Sequence, residues 1–270
     1  MLISNYELNE DIALKNPDID ASRRILFFKF QNIFPKTETL QVEKQFGTMP
    51  SVLIATSRIN TDDVISVHTN TATINIEVDA NYLNGLFDSS EKSPVLQSLL
   101  ENSQPLLFEQ LIYPSLQKIV DEIVTEPIDE TFELFFRRIK AEELVCRLLM
   151  ELEKRDEKQL YALNAHDIQA IYQVKAQMLK HLETPPVIND LAIGAHMSLS
   201  KLKRLFKQIF GNSIFSYYQE FRMKEAARLL KEEQLSVSDV GYQLGFTNLS
   251  HFSRVFNEHI GMKPKQYSRS

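Results

Sequence analysis

The stretch LGFTNLSHFSRVF, residues 244–256, combines a Gly-Phe corner with a segment whose helical form has two different faces. Its apolar residues recur at helical spacing and form one stripe: Leu249, Phe252 and Phe256. A helix needs only such a stripe to pack on its own domain. The opposite face is polar and continues one residue further, with Ser250, Arg254 and Asn257. A second face of short polar groups around one arginine indicates a surface that contacts another molecule.

The same pattern occurs earlier in the chain, so the C-terminal region contains an internal repeat. When Arg204 is aligned with Arg254, four further pairs match: Ser200 with Ser250, Phe206 with Phe256, Gly211 with Gly261, and Tyr217 with Tyr267. A shift of one residue in the turn also pairs Asp190 with Asp239. Agreement at this many fixed spacings indicates two copies of one structural unit.

Each copy is predicted to be a helix-turn-helix unit, in which two short helices are joined by a tight turn. The predicted helices are 188–196 and 199–210 in the first unit, and 237–244 and 249–260 in the second. Gly211 and Gly261 are expected to end the second helices as C-caps. A longer helix over 213–233 would keep the two units in a fixed relation.

The polar faces of the two second helices suit the major groove of DNA. We predict six base-contacting residues: Ser200, Lys203, Arg204, Ser250, His251 and Arg254. An arginine can donate two hydrogen bonds to O6 and N7 of guanine, worth roughly 1–3 kcal/mol of discrimination. For His251, a phosphate contact or a polar position beside the turn remains an alternative. For Ser200 and Arg204 the alternative is a solvated helix face, which the repeat at Ser250 and Arg254 makes less attractive.

Four further residues are predicted to contact phosphates: Lys201, Lys207, Asn257 and Lys231. A fully engaged cation of this kind adds about 0.9 to the slope of log affinity against log salt. If the two units lie about 34 Å apart, one chain can meet two successive major grooves.

The last 85 or so residues resemble the DNA-binding domain of AraC/XylS-family transcription regulators. The matching positions are Val237, Val240, Gly245, Phe246, Ser250, Phe252, Arg254, Phe256, Gly261, Pro264 and Tyr267, together with RMKEAARLL at 222–230. Three positions depart from the family pattern: Gly241 replaces Ala, Asn257 replaces Lys or Arg, and Lys263 replaces Ser or Thr. The departure at 257 puts one phosphate contact in question, but not the fold.

The resemblance implies double-stranded DNA as a partner, RNA polymerase as another, and activation of transcription. It also implies a cupin-like sensing domain on the N-terminal side of the DNA-binding domain. Residues 131–230 are further similar to a branch of the family that includes siderophore-responsive regulators. The effector and its binding residues are not implied, because the sensing domains diverge.

The N-terminal region reads as strands between 24 and 79. TATINIEVD (71–79) alternates apolar and polar residues, and TLQVEKQF (39–46) does so before a turn at 47–50. RILFFKF (24–30) and SVLIATSRI (51–59) are apolar on both sides, as in strands buried between layers. The strands predict a small β-sandwich or barrel, which fits the cupin-like domain that the resemblance implies.

Helices follow after residue 80. Ser93-Pro94 predicts a helix start, and Asn164 with Asp167 predicts another through a variant capping box. A long amphipathic helix is predicted over 131–155, with Phe135, Ile139, Leu148 and Leu152 among its apolar positions. The phenylalanine-rich stripe at 132–136 is interpreted as core, with a contact in a homodimer as the alternative. The double proline at 185–186 is expected to end the last helix of this region.

The distribution of charge supports a division between an N-terminal region and a C-terminal DNA-binding region. The whole chain of 270 residues has a formal net charge of −6. Residues 184–270 contain 12 Lys or Arg against 7 Asp or Glu, a balance of +5, which leaves −11 on residues 1–183. Such asymmetry indicates a basic functional end joined to an acidic body.

The predicted fold is therefore α+β in three parts. Residues 1–90 form a β-rich sensing domain, 91–183 a helical connector or dimerisation region, and 184–270 the all-α DNA-binding domain with units 188–210 and 237–260. Without a signal peptide, an apolar span or a disulfide pair, the chain is expected to be cytoplasmic and not to bind membranes.

Other functions have weaker support in the sequence. No phosphate-binding, nucleophile or zinc-protease motif is present, and no cofactor, metal ligand or catalytic residue is expected. His68 lacks a second histidine at metal-binding spacing, and Cys146 has only Arg147 beside it as an activating neighbour. Two alternatives remain. One is a constitutive DNA-binding regulator whose N-terminal domain only contacts proteins. The other is an enzyme joined to the DNA-binding domain, which would act through a reactive cysteine.

Overall fold

A computed structural model describes residues 2–5, 24–33, 49–59, 72–87, 92–156 and 158–269. The chain divides into two compact units, with the division between Gln169 and Ala170. The N-terminal unit has a sheet and helices, whereas the C-terminal unit is helical. The expected α+β class and the all-α C-terminal domain are therefore both confirmed.

Five antiparallel strands form the sheet of the N-terminal unit. They are β1 (Leu2–Asn5), β2 (Ile25–Gln31), β3 (Ser51–Thr56), β4 (Ala72–Asp79) and β5 (Leu107–Leu111). Their order is β1-β4-β2-β3-β5. The predicted strands within 24–30, 51–59 and 71–79 are confirmed, whereas TLQVEKQF at 39–46, most of the turn that follows it, and His68 lie outside the described residues.

The register of the strands builds an apolar row across one face. Phe28 lies opposite both Ile54 and Ile76, and Ile54 lies opposite Phe108. All four side chains are buried, because alternate residues of a strand point to the same face. Glu77, the polar residue that follows Ile76 in β4, is exposed, as period-two alternation predicts.

The sheet is open among the described residues, with β1 and β5 at its two edges. Closure into a barrel would require those edges to pair with further strands or with each other. The expected cupin-like sandwich or barrel is therefore not confirmed, although the strands themselves are. Alternation of residue types predicts a strand and its faces, but it does not determine whether the sheet closes.

Helices cover the apolar row. They are α1 (Ala80–Gly85), α2 (Pro94–Glu101), α3 (Pro114–Thr125) and α4 (Glu130–Glu153). The shared core joins Phe28 and Phe108 of the sheet to Leu99 of α2 and Leu148 of α4. Ser93 caps α2 as predicted, since its hydroxyl accepts the Leu96 N–H at 3.2 Å.

Helix α4 contradicts one expectation. Its buried residues begin only at Ala141 and include Leu148 and Leu152. The preceding apolar residues are largely exposed: Phe132 (61%), Leu134 (84%), Phe135 (65%) and Ile139 (46%). The interpretation of the stripe at 132–136 as core is therefore wrong. Helical periodicity identifies an apolar face, but not whether anything covers it.

The C-terminal part contains seven helices among its described residues. They are α5 (Ala165–Leu179), α6 (Ile188–Gly194), α7 (Leu199–Phe210), α8 (Ile214–Lys231), α9 (Val237–Gln243), α10 (Leu249–Ile260) and α11 (Pro264–Tyr267). Asn164 caps α5 as predicted, because its Oδ1 accepts the Asp167 N–H at 2.8 Å and its Nδ2 donates to Asp167 at 3.1 Å. Helix α5 ends before the double proline, and a linker over 180–187 leads into α6.

Candidate nucleic-acid interface

The two predicted helix-turn-helix units are both present and share the same turn. Helices α6 and α7 form the first unit, and α9 and α10 form the second. In the first turn, Met197 donates its N–H to the Ala192 carbonyl at 3.0 Å; in the second, Phe246 donates to Gly241 at 2.9 Å. The internal repeat of the sequence is therefore a repeat of backbone structure.

Short polar side chains start each second helix. The Ser198 hydroxyl accepts the Lys201 N–H at 3.3 Å, and Asn248 Oδ1 accepts the His251 N–H at 3.0 Å. Each satisfies one of the free N–H groups of a helix N-terminus. Gly211 and Gly261 end α7 and α10 in the left-handed region, with φ of 74° and 85°, which confirms both predicted C-caps.

The apolar stripes of α7 and α10 pack as predicted. Helix α7 buries Leu202, Leu205, Phe206 and Ile209, and α10 buries Phe252, Val255 and Phe256, with Leu249 half-buried. The aromatic contacts also repeat: Phe206 lies 5.6 Å from Tyr217, and Phe256 lies 5.6 Å from Tyr267. These stripes fix which side of each helix remains available.

The remaining side of each second helix carries most of the predicted interface. The exposed residues are Ser200, Lys203 and Arg204 on α7, and Ser250, His251, Arg254 and Asn257 on α10. Lys201 and Lys207 are half-buried on α7. Lys231 is on α8 instead, with its Nζ 5.5 Å from the centre of the Tyr267 ring. The roles of all ten residues toward DNA stay predictions.

The two polar faces differ in charge. Helix α7 contains four cationic residues and no carboxylate, whereas α10 contains one arginine and one glutamate. Arg254 Nη1 donates to Glu258 Oε1 at 2.7 Å, and both side chains are exposed. Glu258 was not predicted as an interface residue. Its position four residues after Arg254 was the available signal, because residues at this spacing are neighbours on a helix.

Gly245 in the second turn is constrained in two ways. Its φ of +78° lies in the left-handed region, which glycine adopts without strain. A Cβ at this position would also overlap the carbonyl group of Glu183, in the linker. The equivalent position of the first turn, His196, has a φ of 52° and a side chain. The contact with the linker therefore adds a requirement for glycine that the turn alone does not impose.

Comparison with known proteins places this geometry in a class. Residues 191–270 match the family described as helix-turn-helix domain. The chain is 32% identical over 95 residues to the transcriptional regulator GbdR of Pseudomonas aeruginosa, covering 35% of this chain and 26% of the relative. It is 34% identical over 92 residues to the uncharacterized regulator YfiF of Bacillus subtilis, covering 34% and 29%.

A solved structure from Chromobacterium violaceum, a transcriptional regulator with an AraC-type DNA-binding domain, is 29% identical. It covers 39% of this chain and 95% of its own, with a TM-score of 0.36. By its family match as well as by its geometry, the segment 191–270 is a helix-turn-helix domain. The chain spans about a quarter of the length of the curated relatives it matches.

Two further observations concern other kinds of site. Within the described ranges, no helix is long and apolar enough to cross a bilayer. Among the same residues, no group of three or more His, Cys, Asp or Glu could hold a metal ion. Cys146 is exposed on α4.

The two constraints on Gly245 can be separated by substitution. We expect Gly245→Ala to lower the free energy of unfolding by at least about 2 kcal/mol, since backbone strain of about 1 kcal/mol is joined by a steric overlap. Gly261→Ala is the matched control, because Gly261 also has a positive φ but a Cβ there would meet nothing within 4 Å. Its cost is expected to be only about 1 kcal/mol.

Urea unfolding followed by circular dichroism measures both changes. Equal costs for the two variants would show that the linker contact does not constrain the turn.

Proposed function

We propose that the protein is a sequence-specific transcription regulator that reads DNA through the polar faces of α7 and α10. The observation that carries this proposal is the repeat of one helix-turn-helix geometry with an outward polar face in both copies. An α-helix with this outline fits the major groove. Names of the relatives, which are transcriptional regulators, support the same role.

Each residue type suits a distinct part of the reading. Arg204 and Arg254 lie at equivalent positions and present guanidinium groups that can donate to a guanine edge. Ser200 and Ser250, one turn earlier, are small enough to allow the backbone close to the groove. Lys201, Lys203 and Lys207 give α7 a positive charge that attracts phosphates.

In the unbound protein, Arg254 donates to Glu258. An exposed pair four residues apart on a helix contributes only about 0.3–0.5 kcal/mol. Contact with guanine, at roughly 1–3 kcal/mol of discrimination, is therefore enough to draw Arg254 from the carboxylate. Where the base pair offers no such acceptor, the carboxylate retains the arginine.

Substitutions in the two reading helices should have different effects. We expect Arg254→Ala to relax base preference in one half-site by roughly tenfold, because a bidentate contact is lost. Lys207→Ala should weaken binding to all sequences and reduce the salt slope by about 0.9. Lys224→Ala is the control, since Lys224 pairs with Glu220 on α8 at 3.1 Å.

The measurement is selection of sites from random duplex DNA by the full chain, followed by titrations at several salt concentrations. Equal effects of Arg254→Ala and Lys207→Ala on specific and random DNA would contradict the assigned roles.

We further propose that the chain forms a homodimer through the exposed apolar face of α4. Phe132, Phe135 and Ile139 follow one another at spacings of three and four residues, which places them on one side of the helix. Exposed apolar residues clustered in this way are typical of protein contact sites. The stripe thus supports the dimer alternative considered for residues 132–136.

The double substitution Phe135→Ser with Ile139→Ser should convert the dimer to monomer in sedimentation at micromolar concentration. It should leave the monomer folded, because both side chains are exposed. Phe215→Ser is the matched control, since Phe215 is exposed on α8 of the other unit. A wild-type chain that is monomeric at this concentration would refute the proposed contact.

We also propose that the N-terminal unit binds a small effector and that this binding changes how the C-terminal unit binds DNA. Contact with RNA polymerase and activation of transcription would be the result. The separate sheet-and-helix core of this unit supports a role of its own. The alternative is a constitutive regulator in which this unit only contacts proteins.

Thermal unfolding of the full chain with candidate effectors distinguishes the two. A ligand of the folded state at 100 times its dissociation constant adds about 2.7 kcal/mol and raises the melting temperature. We expect this rise for at least one small molecule that also changes DNA binding. A chain that binds its selected sites and controls transcription without any such compound favours the constitutive alternative.

A further inference from the structure

Arg222 is a buried charged residue that the proposed reading mechanism does not use. It lies on α8, outside both polar reading faces, and its exposed fraction is only 5%. Charged residues are almost never buried to this extent unless they are paired. Burial lowers the pKa of Arg222, which is the direction expected when a cation is removed from water.

The contacts of Arg222 point to the second helix-turn-helix unit. Nη2 donates to the carbonyl oxygen of Leu244, the residue before Gly245. The guanidinium carbon lies 4.2 Å from the centre of the Phe246 ring, within the range of a cation–π contact. Nη1 donates to Gln219 on the same helix at 2.6 Å, which fixes the direction of the side chain.

The turn around Gly245 also packs against the linker over 180–187. Tyr218, one turn before Arg222, donates its hydroxyl to the Leu182 carbonyl at 2.8 Å. The Arg222 guanidinium lies 5.2 Å from the centre of the Tyr218 ring. The next carbonyl of the linker, that of Glu183, is the group that allows no Cβ at Gly245. The turn therefore lies against two partners, the α8 arginine and the linker backbone.

Phe246 connects this turn to the reading helix. Its ring lies 5.2 Å from that of Phe252, in the core stripe of α10, and 5.7 Å from that of His251, at the start of the polar face. A displacement of Phe246 would therefore move the beginning of α10. Side chains in a close-packed interior transmit such shifts because few voids absorb them.

We infer that Arg222 is a positioning residue for the second reading helix. It orients α10 in the groove through the Leu244 carbonyl and the Phe246 ring, and it does not contact DNA itself. This inference rests on the proposed function, since it concerns how one of the two units reads bases. The acceptors and rings that Arg222 contacts lie on α8 or in the second turn, so α7 does not depend on it.

The test is a site selection with the full chain, in which wild type should enrich two short blocks of sequence. The block read by α10 is the one that Arg254→Ala relaxes. We expect Arg222→Gln to reduce base preference in that block by about tenfold, comparable to the loss of one bidentate contact. The block read by α7 and the salt slope should stay unchanged.

Arg228→Gln is the matched control on the same helix. Arg228 donates to Glu225 at 2.7 Å and to Glu233 at 3.0 Å, and neither lies in the turn. This variant should retain both blocks. A second variant, Phe246→Leu, removes the ring from the guanidinium while keeping an apolar side chain, and it should lose the α10 block in the same way.

Retention of the α7 block reports that the domain is folded, so a positioning effect is distinguished from unfolding. The inference is overturned if Arg222→Gln retains the α10 block, or if it weakens both blocks equally while Phe246→Leu retains both. Enrichment of no sequence by wild type would instead refute the proposed function.

Discussion

The second helix-turn-helix unit depends on one crowded point, the backbone at Gly245. The chain turns there with a positive φ, and the carbonyl of Glu183 occupies the space that a side chain would need. Immediately before and after this glycine, the Leu244 carbonyl and the Phe246 ring contact a buried arginine. The turn is therefore determined by tertiary contacts as well as by its own sequence, and the direction of α10 follows from it.

The first unit reaches the same backbone geometry under a weaker constraint. His196 takes the left-handed conformation at the position equivalent to Gly245, at the energetic cost that a non-glycine residue bears there. The corresponding hydrogen bonds in the two turns have nearly equal lengths. The repeat thus preserves the backbone in both copies, and in the second copy a carbonyl of the linker lies where a Cβ would be.

The C-terminal domain could be predicted in detail because its signals are local. Caps such as Gly211 and Gly261 mark helix ends through their own backbone, and the repeat fixes the spacing twice. Arg222 and Glu258 were missed because their partners are found only after folding or after the helix face is built. Arg222 is part of the family motif RMKEAARLL, but nothing in that motif shows that it reaches across to Leu244.

The N-terminal unit was less predictable for a related reason. Alternation of apolar and polar residues identified the strands. It did not predict the open order β1-β4-β2-β3-β5, because the sequence of one strand does not specify which strands pair with its two edges. The stripe on α4 has the periodicity of a core helix although Phe135 is largely exposed. In both cases the sequence contains the face of an element, whereas its neighbour is decided by the rest of the chain.

Under the proposed function, the unequal charges of α7 and α10 also imply an order of events in time. Helix α7 contains four cationic residues and no carboxylate, whereas α10 contains one arginine and one glutamate, so the field of DNA would act more strongly on α7. On this proposal α7 makes the first encounter, and the chain moves along the duplex on that contact. Helix α10 would then engage only where the bases suit it, so that the rate of arrival and the time of residence would be governed by different halves of one domain.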